Sequence, residues 1–330
     1  MKLRHNLSWL PILLTILLIT FVLSLWAGPL SLTATELFAA LSGRPLEPLH
    51  ATILLKIRLP RALLAALVGA ALGASGGSFQ AVLRNPLADP YILGASGGAA
   101  LGAVAVLTLG YSSPLLLPVA AFVGSCAALF LVYWIARAHR SSPHTLILSG
   151  VMVGSFASAL LLFLLWRSPA DPVKTAVFWL AGNLDLVDQA WLPWLAVWVG
   201  CGFCFLWMQS RALDLFTQGE EVAADLGLNI GLSRLLLFAS AGGLTAAAVA
   251  MAGLVGFVGL TVPHVVRLLW GNSHRHLLPA SALLGAAFLV AADALARTLL
   301  APAEIPVGVM TALIGAPFFL YLLRQQGGRA

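Results

Sequence analysis

Residues 58–102 read RLPRALLAALVGAALGASGGSFQAVLRNPLADPYILGASGGAALG, which is two apolar runs joined by a polar turn. Within each run a glycine recurs at every fourth position, at Gly69, Gly73 and Gly77 and then at Gly94, Gly98 and Gly102. If each run is a helix, its glycines form a stripe without side chains along which a neighbouring helix can approach closely. The pattern is typical of helices that pack together in a membrane, and it favours a transport protein.

The composition of the whole chain indicates the same class of protein. Of its 330 residues, 60% are hydrophobic and only 9% are charged, and the mean hydropathy is +0.97. A soluble domain needs a larger polar surface than this composition supplies, so a soluble globular protein is excluded. The sequence therefore predicts an all-α polytopic membrane protein, with residues 1–330 forming a single transmembrane domain.

About ten transmembrane helices are expected, because a membrane-spanning helix takes about 20 apolar residues. The apolar runs cover residues 7–27, 61–83, 92–110, 114–136, 145–166, 190–208, 234–255, 257–271, 278–300 and 306–323. The first run is longer than the apolar core of a typical signal peptide, so we interpret it as a retained helix. The eighth run is short, which predicts a helix that is tilted, broken or partly re-entrant.

The distribution of basic residues predicts the orientation in the membrane. With both termini in the cytoplasm, most of the 18 Lys and Arg residues fall on cytoplasmic ends and loops, as the positive-inside rule expects. Lys56, Arg58 and Arg61 are exceptions that crowd together on the outer side. An outward basic cluster runs against the topology bias, so we expect it to have a functional role.

The residue types used in catalysis and metal binding form no convincing site. Cys126, Cys201 and Cys204 lie in apolar runs, and the last two lack the second ligand pair that a zinc site needs. No Lys follows a Gly, so the Gly-Lys core of a phosphate-binding P-loop is absent. His264, near an apolar run, is interpreted as a packing residue. The sequence predicts neither catalytic residues nor a metal site.

The longest polar interruption expected on the cytoplasmic side covers residues 209–233. It holds four of the twelve acidic residues, Asp214, Glu220, Glu221 and Asp225. Opposite these carboxylates, an apolar helical face would be formed by Val222, Ala223, Leu226 and Ile230. From the pattern alone, the segment is either a solvated connector between the sixth and seventh helices or a coupling helix that docks on a partner.

Seven sequence blocks together carry a resemblance to a known family. They are RLPR at 58–61, NPLADP at 85–90, GEEVAADLG at 219–227, GFVGLTVPH at 256–264, DALAR at 293–297, EIPVG at 304–308 and GAP at 315–317. The chain resembles the FecCD permeases of ATP-binding-cassette (ABC) importers for ferric siderophores, haem and cobalamin. The resemblance extends from about residue 50 to the carboxyl terminus in the expected order.

The resemblance implies an assembly in the bacterial inner membrane with ten helices in each permease subunit. Two permease subunits, identical or paralogous, would surround a central pathway. Two ATPase subunits would bind ATP and Mg, and a periplasmic or lipid-anchored substrate-binding protein would dock from outside. This chain itself would bind no cofactor and no nucleic acid. The resemblance implies ATPase coupling through the 209–233 loop, with the contact candidates Glu220, Glu221, Asp225, Leu226 and Gly227.

The same resemblance implies roles for residues at both ends of the pathway. Arg58, Arg61 and Arg297 match arginines that pair with glutamates of the binding protein, and charge-assisted pairs set orientation and speed encounter. Interfacial anchoring is the alternative for Arg58 and Arg61, and pairing with Asp293 is the alternative for Arg297. The cytoplasmic gate would be formed by Asn85 and Leu87 in one turn and by Ser141 and Ser142 in another.

The expected substrate is a ferric siderophore, with haem and cobalamin as alternatives within the family. A different class remains open, because intramembrane carboxylates are often functional. An ion-coupled secondary transporter would use Asp293 as its ion site and the glycine-rich helices as discontinuous half-helices. The position of Asp293, one turn from Arg297, favours a structural or docking role instead.

Overall fold

The computed structural model describes residues 9–28, 47–110, 115–138, 142–185 and 188–327, together with isolated residues between 30 and 42. These described residues form helices and turns without any strand. The α-helices are α1 Trp9–Trp26, α2 Pro48–Thr52, α3 Leu59–Val82, α4 Ala95–Thr108, α5 Leu116–Ala138, α6 Pro143–Arg167, α7 Ala170–Leu180, α8 Leu192–Met208, α9 Ser210–Gln218, α10 Glu220–Asp225, α11 Ile230–Ala252, α12 Val258–Trp270, α13 His274–Thr298 and α14 Val307–Gly327.

Each of the ten predicted runs corresponds to one described helix, and the short helices α2, α7, α9 and α10 lie between the runs. Seven are long and apolar enough to cross a membrane: α1, the continuous helix that ends with α3, α5, α6, α8, α11 and α13. The shorter apolar helices α4, α12 and α14 account for the other three runs. The predicted all-helical membrane fold is therefore confirmed.

The eighth predicted run is a short helix, as its length suggested. Helix α12 has 13 residues, which makes it about 20 Å long, whereas the hydrocarbon core of a bilayer is about 30 Å thick. It begins at Phe257, whose backbone is left-handed with a φ of 68°. Residues 253–256 before it are not helical. A non-helical turn thus precedes a helix that is too short to cross the bilayer alone.

The glycine stripe of α3 packs against α13. A Cβ atom added to Gly69 would lie 2.2 Å from the carbonyl oxygen of Gly285, and one added to Gly73 would lie 2.2 Å from that of Ser281. Helix α4 meets α5 in the same way, because a Cβ atom on Gly98 would lie 2.3 Å from the carbonyl oxygen of Gly124. Both stripes are therefore places where helix backbones touch, as the sequence predicts.

The contact at Gly73 gives a first test of this packing. We expect Gly73→Ala to lower the free energy of unfolding in detergent by about 1–3 kcal/mol, because the added methyl group must push two backbones apart. Gly200→Ala is the matched control, since Gly200 also lies within a helix but a Cβ atom there would meet no other atom within 4 Å. Thermal unfolding of both purified variants measures the difference. Equal melting temperatures would contradict the close packing.

Antiparallel packing of α3 and α13 creates two polar ends in the bundle. Helix α3 has 24 residues and is therefore about 36 Å long. Arg61 lies in its first turn and Arg84 just after its last. Because α13 runs in the opposite direction, its His274 lies near Arg84 and its Arg297 near Arg61. We refer to these as the Arg61 end and the Arg84 end.

Candidate functional site

At the Arg61 end, one guanidinium group contacts three carboxylates. Arg61 is 8% exposed; its Nε donates to Asp293 Oδ1 at 2.9 Å. Its Nη1 donates to Asp185 at 2.5 Å and 2.6 Å from the two oxygens, and to Glu304 Oε2 at 2.9 Å. These contacts join α3, α13, the loop after α7 and the turn before α14. Arg61 is thus the centre of a charge cluster assembled from distant parts of the chain.

Asp293 bridges two arginines inside the protein. Its side chain is fully buried, and its Oδ2 accepts from Arg297 Nε at 3.0 Å, while Oδ1 accepts from Arg61. Arg297 also donates to the Ser24 hydroxyl at 2.8 Å and to the carbonyl oxygen of Ala27 at 3.3 Å. The pair of Arg297 with Asp293, predicted above as the alternative role for this arginine, is therefore present. Asp293 has cationic partners on both oxygens.

Arg58 is also buried, with 3% of its surface exposed. It is the last residue of a π-helical turn, Ile53–Arg58, that joins α2 to α3. Its Nη1 donates to the carbonyl oxygens of Leu25 and Trp26 at 2.9 Å and 2.8 Å, and its Nη2 donates to that of Leu30. The last carbonyl groups of a helix lack partners within the helix and attract cations. Arg58 therefore caps the carboxyl end of α1.

The exposed parts of the charge cluster are two of its three acids, Asp185 and Glu304. The side chains of Asp185 and Glu304 are 45% and 37% exposed, whereas those of all three arginines are nearly covered. Burial raises the pKa of the Asp185 carboxyl; the Arg61 guanidinium opposes this rise and Glu304 adds to it. Sequence reasoning assigned no role to Asp185. Its partner is 124 residues away, so no local pattern marks the contact.

At the Arg84 end, the segment predicted to couple to an ATPase forms two short helices, α9 and α10. Gly219, with a φ of 114°, turns the chain between them, and Gly227, with a φ of 84°, follows α10. Glu220 pairs with Arg234 Nη2 of α11 at 2.5 Å. Glu221 and Asp225 are exposed to solvent. Glu220 is therefore an internal contact, while the other two carboxylates are free to meet a partner.

The apolar face predicted for this segment is only partly covered. Ala223 is fully buried, whereas Val222 is 42% exposed and Leu226 is 59% exposed. Two large apolar side chains one helical turn apart thus face outward, on a segment that lies between spans. Such a patch is typical of a surface that a partner covers.

The turn that follows α3 is held by its own side chains. Asn85 Oδ1 accepts from the backbone N–H of Leu87 at 2.9 Å, and Leu87 is 40% exposed. Ser142 caps α6 by accepting from the backbone N–H of Thr145 at 3.2 Å. Ser141 lies outside the described residues. The assignment of these residues to a gate stays a prediction.

Two further predictions concern histidine and metals. His264 is 6% exposed and its ring packs edge-on against Phe319, with 6.1 Å between ring centroids. Within the described ranges, no three His, Cys, Asp or Glu side chains come close enough together to hold a metal ion. The described part of the molecule thus offers a packed helical bundle with polar clusters at its two ends.

Such a bundle is the architecture of a membrane transport permease, and comparisons with known proteins identify the family. The chain belongs to the FecCD transport family, whose family model matches residues 16–325. The resemblance stated from the sequence blocks is therefore confirmed. It follows that the chain is a multi-pass membrane permease of ABC importers.

The relatives of this chain are named for different substrates. The chain is 48% identical over 281 residues to a cobalamin import permease of Halobacterium salinarum, covering 83% of this chain and 74% of that protein. It is 39% identical to an Fe(3+)-citrate import permease of Bacillus subtilis, covering 98% and 96% of the two chains. A solved metal-chelate type ABC transporter in an inward-facing conformation is 34% identical, with a TM-score of 0.85 and coverage of 95% and 97%.

Proposed function

We propose that this chain moves a ferric siderophore inward across the bacterial inner membrane, driven by ATP hydrolysis on separate ATPase subunits. The observation that supports an iron chelate is the match to the Fe(3+)-citrate permease, which extends over nearly the whole of both chains, as the match to a vitamin B12 permease also does. Both termini would lie in the cytoplasm, as the distribution of Lys and Arg predicts.

Cobalamin is the second candidate, and a specific observation favours it. Two vitamin B12 or cobalamin permeases are as similar as the iron permease, at 48% identity in Halobacterium salinarum and 38% in Klebsiella pneumoniae. Both candidates are bulky metal chelates, so a wide pathway that leaves recognition to a soluble receptor serves either of them. Haem is the remaining alternative within the family.

Docking of the binding protein is proposed at the Arg61 end, through Arg58, Arg61 and Arg297. All three guanidinium groups already have partners inside the protein, so a glutamate of the binding protein would have to share or displace these contacts. Arg61 is the most accessible to exchange, because Asp185 and Glu304, two of its three acidic partners, are partly exposed. We therefore infer that these two carboxylates compete with those of the binding protein.

This competition gives a second test. We expect Asp185→Asn to tighten binding of the substrate-binding protein about 3- to 10-fold, because Arg61 would lose a competing charge. Asp188→Asn is the matched control, since Asp188 carries the same charge in the same loop but caps the backbone N–H of Ala190 instead. Surface plasmon resonance on the immobilised transporter measures both affinities. Unchanged or weaker binding in the first variant would contradict the inference.

The Arg84 end is proposed to receive the ATPase through α9 and α10. Helix α3 is continuous between the two ends, so a displacement at one end can be carried to the other by a rigid element. The turn at Asn85 and Leu87 follows α3 directly, and we propose that it closes the pathway on the cytoplasmic side, together with Ser141 and Ser142.

An ABC importer and an ion-coupled carrier differ in the energy source for uptake, which is ATP hydrolysis in the first and an ion gradient in the second. The complete transporter, with its ATPase and binding protein, is reconstituted in proteoliposomes and supplied with a labelled ferric siderophore, haem or cobalamin. We expect uptake of one substrate that requires ATP and disappears without the ATPase. Uptake of cobalamin alone would select the second candidate. Uptake driven by an ion gradient without ATPase would overturn the proposal.

A further inference from the structure

A polar pocket of about 310 Å³ opens at the Arg84 end, next to the turn that follows α3. Elements α3, α9, α12 and the start of α13 contribute to its wall. The polar residues that line it are Gln80, Arg84, Thr217, Arg267, Asn272 and His274. Two of these six are arginines, and no Asp or Glu among the described residues lines the pocket. Its lining therefore favours an anion.

Arg267 is held in place with part of its guanidinium group unused. Its Nη2 donates to Gln80 Oε1 at 2.5 Å. Gln80 is fixed in turn, because its Nε2 lies 3.2–3.3 Å from the carbonyl oxygens of Ala88, Gly259 and Leu260. Arg267 Nη1 is buried and has no hydrogen-bond partner in the described part of the chain. A buried charged donor without an acceptor is costly, so this atom would be stabilised by an acceptor from outside the chain.

His274, which also lines the pocket, has a second buried atom without a hydrogen-bond partner among the described residues. The residue is 2% exposed, and its Nδ1 lies 2.6 Å from Asp214 Oδ1, which also accepts from the His274 backbone N–H at 2.9 Å. Although burial acts to raise the pKa of Asp214, the hydrogen bonds from His274 lower it on balance. The Nε2 atom on the other side of the ring is buried, with no partner among the described residues.

The Asp214 carboxylate prepares this ring to bind an anion. With Nδ1–H donating to Asp214, the ring orientation is fixed and Nε2 is the atom that remains for a ligand. In this tautomer Nε2 is a hydrogen-bond acceptor, which suits a hydroxyl group carried by the anion, such as the P–OH group of hydrogen phosphate. The free atoms of His274 and Arg267 are therefore both suited to the oxygen atoms of one anion, with Arg84 at the same pocket.

We propose that this pocket binds one phosphate group, either as inorganic phosphate or as the headgroup of an anionic lipid. Guanidinium groups form strong charge-assisted hydrogen bonds to phosphate oxygens. Basic pockets between transmembrane helices near the membrane surface are known to take anionic headgroups. The bound phosphate would join α12, α13 and the turn after α3 beside α9. It would thereby hold the proposed gate turn and the proposed coupling segment in one arrangement.

Equilibrium dialysis of radiolabelled phosphate against the complete transporter in neutral detergent tests the first source. Native mass spectrometry after reconstitution in neutral or phosphatidylglycerol-containing nanodiscs tests the second. We expect one phosphate, or one retained anionic lipid, for each copy of this chain. Arg267→Gln should weaken binding at least about tenfold, since one charged donor pair is worth about that much. Arg84→Gln should weaken it in the same direction.

Arg275→Gln is the matched control, because Arg275 is exposed next to His274 and carries the same charge but does not line the pocket. We expect this variant to bind phosphate within about twofold of the original protein, so that a general loss of surface charge is distinguished from loss of the site. Equal weakening in Arg267→Gln and Arg275→Gln would overturn the proposal. So would the absence of both bound phosphate and retained anionic lipid.

Discussion

Replacing Asp293 with alanine is expected to abolish the stable, monodisperse protein. Its carboxylate is completely buried and accepts from Arg61 on one oxygen and from Arg297 on the other. Arg61 would still have two acidic partners, but Arg297 would keep only hydroxyl and carbonyl oxygens around a buried positive charge. Removing one member of a buried pair costs about 3–5 kcal/mol, a large fraction of the stability of most proteins.

Two further variants distinguish the effect of losing the Asp293 charge from the effect of losing the volume of its side chain. Asp293→Asn keeps the size and one acceptor oxygen, so we expect it to be destabilised by less than Asp293→Ala. Adding Arg297→Gln to Asp293→Asn should recover part of the loss, because the uncompensated cation is then removed. Size-exclusion chromatography and thermal unfolding in detergent measure the series.

The series also separates the proposed permease from an ion-coupled carrier. If Asp293 were the ion site of a carrier, Asp293→Asn would abolish uptake while leaving the melting temperature close to that of the original protein. If the role of Asp293 is structural, Asp293→Asn lowers the melting temperature. Uptake then decreases only in proportion to the amount of folded protein. Normal stability combined with complete loss of ion-driven uptake would therefore contradict the role argued here.

Local sequence periodicity was sufficient to predict the helices and their close contacts. The glycine spacing of α3 depends only on residues four positions apart, and the structure places Gly69 and Gly73 against the backbone of α13. The pair between Asp293 and Arg297 could be anticipated for the same reason, since residues four apart share a helix face. Features of this kind depend only on residues within one helix, so they can be predicted from the local sequence.

The partners of the basic cluster could not be predicted in this way. Arg61 meets Asp293 and Glu304, which are 232 and 243 residues further along the chain. These contacts exist because α3 and α13 pack in opposite directions and the turn before α14 folds over them. The sequence marks the arginines as unusual, but only the tertiary arrangement reveals that acids of the same chain pair with Arg61, while carbonyl groups at the end of α1 accept from Arg58.

The polar pocket at the Arg84 end was missed for a related reason. Gln80 is the last polar residue of an apolar helix, and His274 stands in a cytoplasmic loop by sequence. Their roles depend on the approach of α12 and α9 to the end of α3. In the structure His274 lines the same pocket as two arginines that lie 183 residues apart in the sequence, Arg84 and Arg267.

Replacing Leu226 with aspartate is expected to abolish ATP-driven uptake while leaving the permease folded. Leu226 and Val222 form an exposed apolar pair on α10, and in the proposed assembly this pair is buried against the ATPase. A central apolar contact of an interface is commonly worth 2 kcal/mol or more, so we expect the ATPase to bind about 30-fold more weakly. Folding should be unaffected because the side chain makes little internal contact. Pull-down of the ATPase, uptake and thermal unfolding measure the three effects.

Asn229→Asp is the matched control for this experiment. It adds the same negative charge three residues away at an exposed position, and an aspartate can still cap α11 as Asn229 does through the backbone N–H of Leu232. If Leu226→Asp blocks uptake and Asn229→Asp does not, uptake requires the apolar surface itself. This result is expected if the segment is a coupling helix that binds the ATPase. If both variants transport normally with the ATPase bound, the segment is a solvated connector, the alternative that the sequence left open. Loss of folding in Leu226→Asp alone would instead place this side chain in the core, in contradiction to its 59% exposure in the structure.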